Sequence, residues 1–156
     1  MPGSFFICGL GLKGCSNYDS EGVLQSTIFY QYDSNGNLTA QYDAATANWG
    51  GDWRMPTYDE LNELRTKCTW TWTTKNGVNG YVVSGKGAYS GASIFLPAAG
   101  YGNGYTLDYA GSSGYYWASV PGSGSYSNSW TLYFHSSDRY GYRYYGYPVR
   151  PVLDVH

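Results

Sequence analysis

Side chains that could perform acid–base or nucleophilic chemistry are scarce in this chain. The 156 residues include only two histidines, and one of them, His135, stands three positions before Asp138. With one of the many serines, these two side chains could in principle assemble a nucleophilic triad. The Gly-Ser-Gly-Ser run at 122–125 offers the nearest candidate nucleophile, but it belongs to a predicted loop and not to a strand–turn–helix elbow. We therefore expect that the chain is not an enzyme.

The sequence also lacks the residue spacing of a metal site. Its three cysteines, the last of which is Cys68, form no CxxC pair and no cluster with histidine. Beyond position 63 the acidic residues are Asp108, Asp138 and Asp154, which are too few and too widely spaced for an oxygen cage around calcium. We expect no metal and no other cofactor.

Residues 119–147 have instead the composition of a binding surface. Tyrosine supplies a large, rigid contact area at a low cost in entropy, and serine, glycine and asparagine supply adaptable hydrogen bonds. The candidate ligand-contacting residues are Ser119, Tyr126, Asn128, Thr131, His135, Asp138, Arg139, Tyr140, Tyr142, Arg143, Tyr144, Tyr145 and Tyr147. Any one tyrosine is explained equally well by packing on the scaffold, because tyrosine is commonly half-buried. The prediction therefore applies to the cluster, and we assign Trp117, Trp130, Tyr133 and Phe134 to the core.

Composition and charge argue against two other classes of function. The formal net charge is −2 and the nine lysines and arginines are scattered, so the sequence shows no basic patch for nucleic-acid phosphates. No stretch approaches the roughly 18 apolar residues that a membrane-spanning helix needs. Charged residues make up only 13% of the chain and aromatic residues 19%, which favours an ordered domain over a disordered chain. We expect a single domain over residues 1–156.

Periodicity and turn chemistry predict the elements that must position this surface. Strands are predicted over 5–12, 26–32, 38–42, 69–74, 81–83, 93–96, 115–118, 130–134 and 149–153, and helices over 44–49 and 57–68. The second helix opens with a capping box, in which Thr57 accepts the Glu60 amide and Glu60 reaches back. Residues 33–37, with the sequence DSNGN, predict a hairpin turn, and residues 100–114 predict a long loop. Helices segregated from antiparallel strands make an α+β fold.

A series of ordered motifs in this chain resembles a known bacterial family. The motifs are residues 44–57 (AATANWGGDWRMPT), 68–73 (CTWTWT), 76–81 (NGVNGY), 93–101 (SIFLPAAGY), 111–117 (GSSGYYW), 132–134 (LYF) and 149–152 (VRPV). They resemble the Fibrobacter-type major paralogous domain family, which is found in many gut bacterial surface proteins, and they extend from residue 44 to residue 152. That family resembles the C-type lectin-like fold in the version shared with formylglycine-generating enzymes. The resemblance implies two helices and a mixed sheet whose N- and C-terminal strands meet, with residues 54–57 opening the second helix.

The resemblance also implies a function in binding. Some members of this fold are variable proteins of diversity-generating retroelements, in which randomised adenines alter Asn-type codons near the end of the gene. Such codons cannot become Lys, Glu, Gln, Met or Trp, and residues 119–147 contain none of these except Trp130. We expect residues 119–147 to be the candidate variable region of a receptor- or adhesin-type domain on a cell surface or phage virion. A structural pilus or fibre-tip module is the alternative.

Three further observations bear on this assignment. A formylglycine-generating activity needs a reactive cysteine pair near the C-terminal site, and no cysteine follows Cys68. The Glu-Pro-Asn and Gln-Pro-Asp tripeptides of calcium-dependent sugar-binding C-type lectins are absent from the sequence, so a protein ligand is as well supported as a carbohydrate. We expect no signal peptide at the start, because glycines interrupt the apolar run at 4–12 and no basic residue precedes it.

Overall fold

The described part of the chain is mixed α+β. The computed structural model describes residues 5–7, 14–18, 24–122, 128–134 and 139–154. Within these residues it has two helices and several small antiparallel sheets, which confirms the predicted α+β class.

The described elements are short strands and two helices. The helices are α1 (Ala44–Trp49) and α2 (Tyr58–Lys67). The strands are β1 (Phe5–Ile7), β2 (Gly14–Tyr18), β3 (Leu24–Phe29), β4 (Trp53–Arg54), β5 (Thr69–Lys75), β6 (Val78–Ser84), β7 (Ser93–Pro97), β8 (Tyr101–Asn103), β9 (Thr106–Asp108), β10 (Tyr115–Pro121), β11 (Asn128–Tyr133), β12 (Arg139–Tyr142) and β13 (Val152–Leu153). They form the three-stranded sheets β1-β2-β3, β5-β6-β7 and β10-β11-β12 and the two-stranded sheets β4-β13 and β8-β9.

Helix α1 begins at a buried carboxylate. Asp43 is only 3% exposed, and its Oδ1 accepts the backbone N–H groups of Ala45 and Thr46 at 2.9 and 3.0 Å, which caps the first turn. The same carboxylate accepts the backbone N–H of Met55, with Oδ2 at 2.8 Å. Asp43 therefore ties the start of α1 to the connection between β4 and α2. The helix ends at Gly50, whose φ of 66° lies in the left-handed region that glycine favours.

Helix α2 begins with the predicted capping box. Thr57 Oγ1 accepts the Glu60 amide, and Glu60 Oε2 accepts the Thr57 amide at 2.8 Å. The Arg54 guanidinium donates to both Glu60 oxygens at 2.7 and 2.8 Å and to Asp154 through Nε and Nη2. These hydrogen bonds from Arg54 hold the pKa of Glu60 below its usual value. Arg54 thus joins the start of α2 to the residue that follows β13.

The core lies where α2 packs on the sheets β5-β6-β7 and β10-β11-β12. Its buried members are Leu61, Val83, Leu96, Tyr116, Ala118 and Leu132. Of the four aromatic residues that the sequence assigned to the core, Trp130 and Phe134 pack against this cluster and are half-buried. The buried Tyr116 hydroxyl donates to the Pro97 carbonyl at 2.7 Å, which links β10 to β7.

The predicted hairpin around residues 33–37 forms only in part. A single bridge between Tyr32 and Leu38 closes the turn, and residues 39–42 adopt turns and not a strand. The Leu38 amide donates to the Ser119 carbonyl of β10 at 2.8 Å, so this backbone joins a distant strand. The predicted strand over 26–32 begins and ends earlier, as β3, because β3 pairs with β2.

Two other predicted elements need correction, and a third is described only in part. The predicted loop over 100–114 contains the hairpin β8-β9, whose turn includes Gly104 with a φ of 59°. The last strand is only β13, which pairs with β4 and, among the strands that the structure describes, with none of β1, β2 and β3. Of the predicted strand over 5–12, β1 forms the first part, and residues 8–12 lie outside the described residues.

Candidate ligand-binding surface

Tyrosine rings gather beside the end of β12. We define the tyrosine cluster as Tyr101, Tyr109, Tyr115, Tyr133, Tyr142, Tyr144, Tyr145 and Tyr147, in which each ring contacts at least one other. The rings come from the β8-β9 region, from the strands β10 and β11, and from the last residue of β12 together with the segment that follows it. Gly102 and Gly146 join the first and last of these parts, because each donates its N–H to the carbonyl of the other, at 3.0 and 2.9 Å.

The outer face of the tyrosine cluster is a stacked pair. The rings of Tyr142 and Tyr144 are nearly parallel, at 11°, with centroids 5.2 Å apart. They are 47% and 45% exposed. Tyr145 supports them from below. The centroid of its ring lies 4.6 Å from the Tyr144 ring centroid and 4.7 Å from the Tyr101 ring centroid. The exposed pair is therefore held by half-buried rings.

The inner part of the tyrosine cluster packs on the sheet. The Tyr147 ring lies 4.5 Å from that of Trp117 and 5.1 Å from that of the buried Tyr115. It also lies over Gly141 of β12, where a Cβ atom would overlap the Tyr147 ring and approach Trp117 and Thr131 at 3.0 Å. A glycine is therefore required at position 141 for this ring to reach the sheet.

Burial raises the pKa of three hydroxyl groups in the tyrosine cluster, those of Tyr115, Tyr144 and Tyr147. Burial, together with the neighbouring Tyr133 hydroxyl, raises the pKa of Tyr115 to about 12. Burial and the neighbouring Tyr145 hydroxyl raise the pKa of Tyr144 to about 12 as well. Burial also raises the pKa of Tyr147. At physiological pH these hydroxyls are therefore neutral groups that both donate and accept hydrogen bonds.

Arg143, which belongs to the same chain segment, lines a pocket of about 150 Å³. We call it the Arg143 pocket. Its walls include Tyr30, Tyr32 and Tyr42 from the segment before α1, and Trp117 from β10. Arg143 Nη2 donates to the Tyr32 hydroxyl at 2.6 Å, and its guanidinium carbon lies 5.1 Å from the centroid of the Tyr30 ring.

The structure separates the predicted contact residues into different environments. Tyr142, Tyr144, Tyr145 and Tyr147 belong to the tyrosine cluster, and Arg143 lines the Arg143 pocket.

Two of the predicted contact residues lie beneath the surface. Ser119 and Thr131 are 2% and 5% exposed. The Ser119 hydroxyl donates to Asn37 Oδ1 at 2.7 Å, which ties β10 to the turn at 33–37. Their assignment to a contact surface is therefore corrected. Ser119 and Thr131 alternate with the core residues Ala118 and Leu132 along their strands, and other parts of the chain cover the face on which they lie.

The remaining predicted residues lie in strands or outside the described part. Asn128 stands opposite Tyr142 in the β11-β12 register, Tyr140 opposite Trp130, and Arg139 opposite Thr131. Tyr126, His135 and Asp138 lie outside the described residues.

Sequence reasoning missed the tyrosines that lie far from residues 119–147. Tyr101 and Tyr109 fall in the predicted loop, yet their rings stack at 5.9 Å and Tyr101 contacts Tyr145 and Tyr147. The sequence pattern that could have indicated Tyr101 and Tyr109 is the set of glycine-separated tyrosines in residues 100–114. Tyr30 and Tyr32 gave no such signal, because only the folded chain brings them to Arg143.

Comparisons of the chain with known protein families, with curated proteins and with solved structures find no match. Among the described residues, no three histidine, cysteine, aspartate or glutamate side chains are grouped as a metal site would require. Neither described helix has the length and apolar character that a membrane crossing needs.

Proposed function

We propose that this protein is a ligand-binding domain of the receptor or adhesin type, which presents the tyrosine cluster to a protein or carbohydrate on a cell surface. The observation that carries the proposal is the stacked pair Tyr142 and Tyr144, nearly half exposed yet supported from below. Side chains that are held in place before binding lose little entropy when a partner arrives. Tyrosine is also enriched among the residues that dominate binding energy.

We further propose a C-type lectin-like scaffold for this surface. Two capped helices, small antiparallel sheets and the opening of α2 directly after Arg54-Met55-Pro56 support it. The pairing of β13 with β4 brings the end of the described chain back to that opening. An enzymatic role of the formylglycine-generating kind is not favoured, because the last cysteine, Cys68, is half-buried against the core.

Residues 119–147 are the proposed variable region of a diversity-generating retroelement. The exposed Tyr142 and Tyr144 lie in this stretch, and tyrosine is among the residues that an altered Asn-type codon can encode. The test is the sequence of the DNA around the gene. A second copy of the segment encoding 119–147 that differs only at adenines would support diversification. A neighbourhood without such a copy would remove the retroelement from the proposal and leave the binding function standing.

The binding function is tested with a double variant, Tyr142→Ala with Tyr144→Ala. The matched control is Tyr89→Ala, which removes a 75% exposed tyrosine in the turn at 87–89 after β6. Glycan arrays and intact cells of candidate hosts are probed with all three proteins. We expect the double variant to lose binding while its circular dichroism stays unchanged, and the control to bind like the wild type.

Two results would contradict this proposal. If the double variant binds as tightly as the wild type, the tyrosine cluster is not the contact surface. If the wild type binds nothing but assembles into fibres or large oligomers that the double variant cannot form, the exposed pair serves subunit packing, as in a pilus or fibre-tip module.

A further inference from the structure

The Arg143 pocket has the size and walls to hold one ring. Its volume is about 150 Å³, and its lining includes the large side chains of Tyr30, Tyr42, Trp117, Leu38 and Met55. An apolar protein cavity of about this volume accommodates a benzene molecule. Rings that enter such a pocket gain offset-stacked or edge-on contacts with the aromatic walls. A single six-membered ring is therefore the group that fits.

Arg143 places hydrogen-bond donors at one wall of this pocket. Its Nη2 bonds the Tyr32 hydroxyl at 2.6 Å, and its guanidinium carbon lies 5.1 and 5.8 Å from the ring centroids of Tyr30 and Tyr32. These contacts hold the guanidinium in one orientation. A guanidinium only donates hydrogen bonds. The ring best suited to this wall therefore carries an oxygen acceptor at its edge.

The lining favours an aryl ring over a sugar ring. A pyranose carries several hydroxyl groups, and each one buried without a partner costs free energy. Besides Arg143, the Tyr32 hydroxyl and Ser129, whose hydroxyl already donates to the Val120 carbonyl, the pocket offers mainly aromatic and aliphatic surface. An aryl ring with one edge oxygen leaves no such groups unpaired.

The position of the pocket connects it to the exposed tyrosines. Arg143 stands between Tyr142 and Tyr144 in the chain, so a partner that contacts this pair lies within one residue of the pocket wall. We propose that the Arg143 pocket takes a tyrosine side chain of a protein partner, with its ring against Tyr30 and Trp117 and its phenolic oxygen accepting from Arg143. This inference rests on the proposed binding function and names the class of its ligand.

Four small probes test this inference on the intact chain. They are p-cresol, N-acetyl-L-tyrosinamide, toluene and methyl β-galactopyranoside, each titrated and followed by nuclear magnetic resonance. We expect p-cresol and N-acetyl-L-tyrosinamide to bind and to show Overhauser contacts to the Trp117 ring and the Met55 methyl group. In Arg143→Met, which keeps an unbranched apolar chain and removes the donors, p-cresol should bind roughly tenfold more weakly while toluene binds unchanged.

A separate variant distinguishes this inference from the binding function. The double variant Tyr142→Ala with Tyr144→Ala should keep its affinity for p-cresol although it loses binding to cells. The inference is overturned if p-cresol does not contact Trp117 in the wild type, a result that requires no substitution. It is also overturned if the galactoside binds more tightly than p-cresol, which would make the pocket a sugar site. If p-cresol binds but N-acetyl-L-tyrosinamide does not, the pocket is a site for free phenols and not for a tyrosine side chain. If Arg143→Met weakens the binding of p-cresol and of toluene equally, the hydrogen bond from Arg143 to the phenolic oxygen is excluded.

Discussion

Replacing Asp43 with alanine is expected to lower the free energy of unfolding by about 2–4 kcal/mol. The substitution removes the cap from the Ala45 and Thr46 amides, a loss of about 1 kcal/mol. It also leaves the N–H of the buried Met55 without its acceptor, a cost of about 1–3 kcal/mol. The two terms add because the carboxylate serves both places at once.

Urea unfolding followed by circular dichroism measures this loss. The slope of the free energy of unfolding against urea concentration should be the same in the variant and the wild type. The matched control is Asp33→Ala, because Asp33 also accepts two backbone amides, those of Asn35 and Asn37, but in an exposed turn. Its cost should stay below about 1 kcal/mol. Asp43→Asn should fall between the two, since it keeps Oδ1 but turns an amide group toward the Met55 N–H. Equal losses in Asp43→Ala and Asp33→Ala would refute the assignment of Asp43 as the link between α1 and the connection between β4 and α2.

Three further outcomes are expected. Because Arg54 lowers the folded pKa of Glu60, the stabilisation from this ion pair is present above about pH 4.3 and is lost as the pH falls through the lowered pKa. The free energy of unfolding of Glu60→Gln should therefore be about 1 kcal/mol below that of the wild type at pH 7, and the two values should converge near pH 2. Gly141→Ala should cost about 1–3 kcal/mol by thermal unfolding, because a Cβ there overlaps the Tyr147 ring, whereas Gly91→Ala, which meets open space, should cost less than about 0.5 kcal/mol. Burial raises the pKa of Tyr116 to about 12, so its contribution to stability is complete below about pH 10 and is lost as the pH rises toward 12; Tyr116→Phe should make alkaline unfolding, followed by circular dichroism, less steep.

The surface predicted from composition is only partly the surface that the fold presents. Tyr142, Tyr144, Tyr145 and Tyr147 could be grouped from the sequence because they follow one another within six residues. Ser119 could not be placed, because its burial depends on the turn at 33–37 packing against β10. A one-residue shift along a strand moves a side chain from one face to the other, and composition carries no information on that register.

Local chemistry explains why some elements were predictable. The capping box of α2, the Asp43 cap and the turn at 33–37 each depend on groups within four residues of one another, so the sequence predicts them without knowledge of the fold. The same holds for the strand β5, where threonine and tryptophan alternate. Backbone and side-chain preferences over such short distances are the same in any fold.

Long-range pairing explains the rest. Tyr32 and Arg143 lie 111 positions apart and meet only in the folded chain. The hydrogen bonds between Gly102 and Gly146 likewise bring Tyr101 to the rings after β12. The tertiary structure alone therefore decided which tyrosines are exposed and that a ring-sized pocket exists, because burial depends on partners that are distant in the chain. The amino-acid sequence by itself determined the α+β class and the helix caps. It also determined the large number of aromatic residues that form the exposed tyrosines and the walls of the pocket.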